Sequence, residues 1–75
     1  MKKSQILVGK KYTDGKNSVR KVMAMGPEYV LYHGQQCTDN LRYQLLSKVK
    51  GPYAVGEERN STTTSFAAWA KSEAK

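Results

Sequence analysis

The sequence lacks most of the residues on which disulfide frameworks, metal sites and catalytic centres depend. It has one cysteine and one histidine among 75 residues. A single cysteine cannot form an intrachain disulfide, and no second histidine or cysteine pair stands at metal-ligand spacing from His33. Because a lone thiol suits a reducing compartment, we expect a cytoplasmic protein.

Long hydrophobic runs are also missing. The apolar run near the N-terminus, Ile6-Leu7-Val8, falls short of the about 7 to 15 residues of a signal-peptide core, and no run approaches the roughly 18 of a membrane helix. Cys37 lies four residues after His33 without a third group to orient a base, and the six carboxylates are scattered in turns. We therefore expect no membrane association, no metal, no cofactor and no enzymatic activity.

Positive charge is in excess, and it is unevenly distributed. The net charge is +7, from 13 basic and 6 acidic residues. Residues 1–51 hold ten bases and three acids, whereas residues 52–75 hold three of each. A basic body with a neutral tail favours a polyanionic partner, which could be nucleic acid, an acidic protein surface or anionic lipid. The alternative is that the charge serves solubility alone.

Short runs of β-favouring residues between turn signals predict a mainly β fold. Asp14-Gly15 is the signal of a tight hairpin turn, with Lys16-Asn17 extending the loop, and Gly26-Pro27 ends the second arm of that hairpin. Residues 41–49 also fit one face of a helix, but we favour a strand followed by a turn there. The predicted strands are 8–13, 18–25, 29–33, 41–49 and 53–55, of which 29–33 has the strongest β preference.

The C-terminal part has a different pattern. Residues 57–65 read as a polar linker that ends in hydroxyl residues able to cap a helix, and residues 66–73 as that helix. Phe66 and Trp69 share one helical face, so we expect both to dock on the sheet. The whole chain is then one domain with a body at 6–56. We predict a small barrel of four to six short antiparallel strands with a short C-terminal α-helix.

Three segments between residues 7 and 33 resemble the opening strands of SH3-like small barrels. They are Val8-Gly9-Lys10-Lys11-Tyr12-Thr13-Asp14-Gly15, Val19-Arg20-Lys21-Val22 and Tyr29-Val30-Leu31-Tyr32. The pattern is similar to that of short prophage- or plasmid-encoded proteins of unknown function. The resemblance implies a binding role, since related folds of the KOW and Tudor kind bind RNA, DNA or protein tails. Another small barrel of this size, the plasmid-encoded dihydrofolate reductase, has a Val-Gln-Ile-Tyr strand. Residues 29–32 lack its glutamine, so the resemblance does not support an enzymatic role.

Basic residues lie beside tyrosines at several points of the sequence, a mixture that suits single-stranded nucleic acid because rings stack on bases while Lys and Arg contact phosphates. We predict that Tyr12 or Tyr43 stacks on bases, whereas Tyr29 and Tyr32 are better suited to a core. The predicted phosphate contacts are Lys10, Lys11, Arg20, Lys21 and Arg42.

The alternative function is a protein-interaction module, such as a phage-encoded modulator of a host protein with an acidic surface. Exposure of Phe66 and Trp69 would favour this alternative, whereas their burial would favour the basic face as the binding site. Either function is compatible with a monomer or a small homo-oligomer.

Overall fold

The computed structural model describes residues 1–16, 18–35, 39–47 and 55–74, and within these ranges the protein is mainly β. The elements are β1 (Lys11–Thr13), β2 (Val19–Met25), β3 (Asn40–Ser47), β4 (Glu58–Thr62), α1 (Thr63–Trp69) and β5 (Ser72–Glu73), after a 3-10 turn at Lys3–Gln5. The five strands form one sheet in the order β4-β3-β2-β1-β5, with antiparallel neighbours throughout. The predicted antiparallel strands and short helix are confirmed. The described strands form an open sheet with β4 and β5 at its edges, and not a closed barrel.

The first hairpin, between β1 and β2, forms where the Asp-Gly pair predicts it. Gly15 has φ +82°, a left-handed conformation that glycine adopts without strain, and the backbone N–H of Lys16 donates to Asp14 Oδ1 at 2.9 Å. The prediction that the first strand begins at residue 8 is wrong, because the chain turns at Gly9 (φ +86°) and regular pairing starts at Lys11.

Side chains alternate between the two faces of the sheet, as they must in pleated strands. Tyr12 lies opposite Arg20, and Val22 lies opposite Tyr43, and all four are on the face that packs against α1. We call this the inner face and the opposite one the outer face. Irregularities in the β2–β3 register after residues 19 and 22 shift the alternation, which explains why β2 carries apolar residues on both faces.

The hydrophobic core lies between the inner face and α1. Phe66 is its centre: the ring is 1% exposed, meets Tyr12 edge-on at 5.7 Å between centroids and lies 5.6 Å from Tyr43. Trp69 packs against Phe66 at 5.3 Å but is only partly buried. The predicted docking of both aromatics is therefore confirmed. The other buried members of the core are Ile6, Val22, Leu41, Ala67 and Ala70.

The predicted polar linker at 57–65 is wrong, because β4 and the first turn of α1 occupy most of it. Thr62 is the N-cap of α1, and its side-chain oxygen accepts from the backbone N–H of Ser65 at 3.1 Å. The helix ends at Trp69, four residues before the predicted end. Beyond it the chain pairs with β1, where the N–H of Lys71 donates to the carbonyl of Thr13 at 2.8 Å.

The predicted strand at 29–33 is also wrong. None of these residues belongs to a strand: residues 29–30 are irregular, 31–32 form a bend and 33 begins a turn. The N–H of Tyr29 donates to Gly26 O at 3.4 Å and the N–H of Gln35 to Tyr32 O at 3.2 Å. The run follows β2, yet β3 is already paired on both sides by β2 and β4. High β preference measures fit to a half-buried sheet, and this run forms no backbone pairing with any strand among the described residues.

The predicted strand at 41–49 is confirmed over the described part, residues 41–47, which excludes the helical alternative there. Residues 48–50 lie outside the described part of the chain. Of the predicted short strand at 53–55, only residue 55 is described, and it belongs to a turn.

Candidate functional site

The outer face of the sheet carries a row of polar side chains from one edge towards the other. Cross-strand pairing places Lys11 of β1 opposite Lys21 of β2, Lys21 opposite Gln44 of β3, and Gln44 opposite Glu58 of β4. Arg42 and Asn60 form a second pair on the same face. Among the described residues, α1 and the N-terminal 3-10 turn lie on the other side of the sheet, so neither element covers this row.

Lys11 and Lys21 form a cross-strand pair of like charge. Directly opposite residues in an antiparallel pair have Cβ atoms about 4.5 to 5.5 Å apart, and like charges at that distance are destabilising. Both lysines are partly exposed, and no carboxylate of the described chain forms an ion pair with either. An anion bound between the two ammonium groups would relieve their repulsion, so this pair is a candidate contact for a negatively charged ligand.

Positive charge is concentrated on one half of the sheet. Residues 10–25 and 71–74, which include β1, β2 and β5, contain six basic and two acidic residues, a net charge of +4. On the other half, Arg42 Nε lies 3.2 Å from Glu58 and an Arg59 nitrogen lies 3.4 Å from Glu57. The sheet is therefore basic towards β5 and compensated towards β4.

The structure divides the predicted nucleic-acid site between different surfaces. The outer face carries Lys11, Lys21 and Arg42, whereas Tyr12, Arg20 and Tyr43 point to the inner face. Lys10 precedes β1, and its ammonium lies 3.0 Å from Glu73 of β5. Only some of the predicted basic residues therefore share one surface. Neighbours in a strand point in opposite directions, so adjacent residues in the sequence lie on different faces.

The prediction that Tyr12 or Tyr43 stacks on bases is wrong for this structure. Tyr12 is 0% exposed and Tyr43 is 8% exposed, and both rings contact Phe66 in the core. The Tyr12 hydroxyl donates to Gln5 O at 2.7 Å and accepts from Leu7 N at 2.8 Å, so its polar atom is satisfied inside the protein. Of the two tyrosines expected in the core, Tyr32 is 65% exposed and Tyr29 is only partly buried.

Arg20 occupies an unusual position on the inner face. Its guanidinium carbon lies 4.8 Å from the ring centroid of Tyr43 and 4.1 Å from that of Trp69. Both distances are within the range of a cation–π contact. The positively charged guanidinium of Arg20 thus contacts two aromatic rings at the boundary of the core.

A cleft of about 400 Å³ opens where the connection between β2 and β3 meets the β3–β4 end of the outer face. The connection spans residues 26–39, which is longer than most connections between paired strands. It is fastened to β4 by the side-chain amide of Asn60, which donates to Val30 O at 2.9 Å. Val30 and Leu31 line the cleft with Arg42 and residues 57–60. The high β preference of Val30 and Leu31 predicted a strand where the structure has part of this cleft. The length of the chain between β2 and β3 was the signal that could have indicated a loop there.

No group of three His, Cys, Asp or Glu side chains suited to a metal ion occurs in residues 1–16, 18–35, 39–47 and 55–74. His33 is exposed within the connection, and Cys37 lies outside the described ranges. None of the described helices has the length and apolar character that a membrane span requires.

Comparison of the chain with protein-family models, with curated proteins and with solved structures found no match. The fold and the charge distribution define a small, mainly β protein whose sheet is basic towards β5.

Proposed function

We propose that this protein is a non-enzymatic binding module that contacts the phosphates of nucleic acid through the outer face of β1 and β2. The observation that carries the proposal is the cross-strand pair of Lys11 and Lys21, which has no carboxylate partner among the described residues. Two adjacent ammonium groups on a strand pair can neutralise phosphates of one backbone. We also propose a cytoplasmic location, because a lone cysteine suits a reducing compartment.

The burial of Tyr12 and Tyr43 favours phosphate contacts over base stacking. Lysine ammonium groups act as point charges that position a backbone but do not read sequence. Arg42 contributes less than the sequence indicated, because Glu58 compensates its charge. We therefore expect binding that is strongly salt-dependent and nearly independent of sequence.

The test is the anisotropy of labelled single- and double-stranded oligonucleotides between about 50 and 200 mM salt. For Lys11→Ala or Lys21→Ala we expect the slope of log affinity against log salt to fall by about 1, uniformly across sequences. Lys2→Ala is the matched control, because it removes the same charge from an exposed residue beside the N-terminal 3-10 turn, on the α1 side of the sheet. Equal losses in Lys2→Ala and Lys11→Ala, or no binding by the parent, would refute the proposal.

A protein-interaction module remains the second candidate because of the β2–β3 connection. Val30, Leu31 and Tyr32 are exposed together beside the cleft, as at many docking sites. The burial of Phe66 and the partial burial of Trp69 argue against the docking patch that the sequence offered on α1. Capture of a protein from host lysate that survives nuclease and is lost in Leu31→Ser would favour this candidate, whereas capture abolished by nuclease would favour nucleic acid.

A further inference from the structure

Arg20 differs from the other described arginines in having no acidic partner. Arg42 and Arg59 each lie against a glutamate, whereas Arg20 contacts the rings of Tyr43 and Trp69. Its Nε is buried and donates to no atom of the described residues. A guanidinium stays charged, so leaving its buried Nε–H without an acceptor at the edge of a core is costly.

Two aromatic faces also restrict how Arg20 can move. The plane of the guanidinium is the part of the side chain that recognises oxyanions, because its parallel N–H groups match two oxygens of one acceptor. Contact of the guanidinium carbon with the Trp69 ring at 4.1 Å and the Tyr43 ring at 4.8 Å restricts the side chain and so reduces the entropy lost when such a ligand binds. The side chain is thus preorganised for an acceptor that the described protein does not provide.

Two further lysines lie near this end of the sheet. Lys71 follows Trp69 by two residues and is fixed to β1 by its N–H bond to Thr13 O, and Lys16 lies in the β1–β2 turn, three residues after Thr13. Both are exposed, and neither forms an ion pair within the described ranges. Asp14, the acid of this turn, accepts from the backbone of Lys16. The local charge is therefore positive even with Asp14 included.

We propose that Arg20 is the centre of a binding site for a phosphate monoester dianion, with Lys71 and Lys16 adding positive charge at its rim. The site lies on the inner side of the sheet and is separate from the outer-face pair of Lys11 and Lys21, so it does not rest on the function proposed above. The ligand class is a terminal phosphate, such as that of a nucleoside 5′-monophosphate or a 5′-phosphorylated strand. A dianion fits this site because Arg20 and a rim lysine together neutralise its two negative charges.

The chain provides its own reporter, since Trp69 is its one tryptophan. At constant ionic strength we expect inorganic phosphate and a nucleoside 5′-monophosphate to change the tryptophan emission saturably and to shift the Arg20 Nε–Hε resonance. Arg20→Lys keeps the charge but loses the planar fork, and we expect it to weaken binding at least about tenfold. Lys71→Ala, a surface change that leaves the core intact, should weaken it several-fold.

Lys11→Ala with Lys21→Ala is the control that separates the two sites. It should lose oligonucleotide binding and keep the phosphate response. The proposal is overturned if neither emission nor resonance responds saturably to either phosphate ligand, or if Arg20→Lys, shown by circular dichroism to be folded, binds as tightly as the parent. Acetate binding as tightly as phosphate would also overturn it, since the acceptor would then be a carboxylate.

Discussion

At the scale of single residues, stability depends most on Phe66, which touches three other rings. We expect Phe66→Ala to cost about 3 to 5 kcal/mol of unfolding free energy, as large as the whole margin of a domain this size. Trp69→Ala should cost clearly less, because that ring is only partly buried. Urea unfolding followed by circular dichroism measures both, and equal costs would show that the two rings brace the sheet alike.

A second residue-scale prediction concerns Asp39 and acid. The ammonium of Lys3 holds the pKa of the Asp39 carboxyl below its ordinary value of 3.8. A pKa lowered by folding contributes stability above the unfolded-state pKa, and the contribution disappears as pH falls through the folded-state pKa. Asp39→Asn should therefore lower stability at pH 7 by less than about 1 kcal/mol, since the pair is nearly half exposed.

The difference between variant and parent should disappear as pH falls through the folded-state pKa of Asp39, because the carboxyl is then protonated in the folded and in the unfolded protein. Urea midpoints at neutral and acidic pH check this. A difference between parent and variant that is equal at both pH values would mean that the ion pair is not its source.

At the scale of elements, the junction of β4 and α1 includes a helix cap from the Thr62 side chain. The Thr62 oxygen satisfies the backbone N–H of Ser65 in the first turn of a helix of only seven residues. Thr62→Ala should cost about 0.5 to 2 kcal/mol, whereas Thr62→Ser should retain most of the stability because serine caps equally well. Thermal unfolding of the two variants tests this prediction. Equal melting temperatures for Thr62→Ala and Thr62→Ser would exclude a capping role for this side chain.

The elements also explain which predictions succeed. The first hairpin follows from Asp14-Gly15, because the turn chemistry is local and glycine tolerates φ +82°. The run at 29–33 fails because pairing is not local: β3 has no free side for a third partner among the described strands. β4 was missed for a related reason, since an edge strand of polar residues lacks the apolar alternation that marks a half-buried strand.

The candidate site was only partly predictable for similar reasons. Its charge is visible in composition, but the face on which each base lies depends on strand register. Lys11 and Tyr12 are adjacent in sequence, and charged neighbours made an exposed tyrosine the natural expectation. The backbone turns each residue to the side opposite its neighbour, so the lysine reaches the outer face and the tyrosine enters the core.

At the scale of the whole molecule, the charge asymmetry of the sequence becomes an asymmetry of the sheet. The basic half contains β1, β2 and β5, and the compensated half contains β3 and β4. Removing the repulsion between Lys11 and Lys21 should leave the melting temperature unchanged or raise it slightly, even as nucleic-acid affinity falls. A Lys11→Ala variant that melts clearly below the parent would indicate that this lysine has a packing role.

The position of β5 beside β1 has a consequence for how the protein opens. Pairing Tyr12 with Glu73 closes a long loop around the rest of the sheet, and β5, the strand at this edge, is only two residues long. Local opening should therefore begin here, and the amide hydrogens of Lys71 and Ala74, which bond to Thr13 and Lys11, should exchange with solvent well before those of β2 and β3. Exchange of all these amides at one common rate would instead mean that the strand detaches only when the entire protein unfolds.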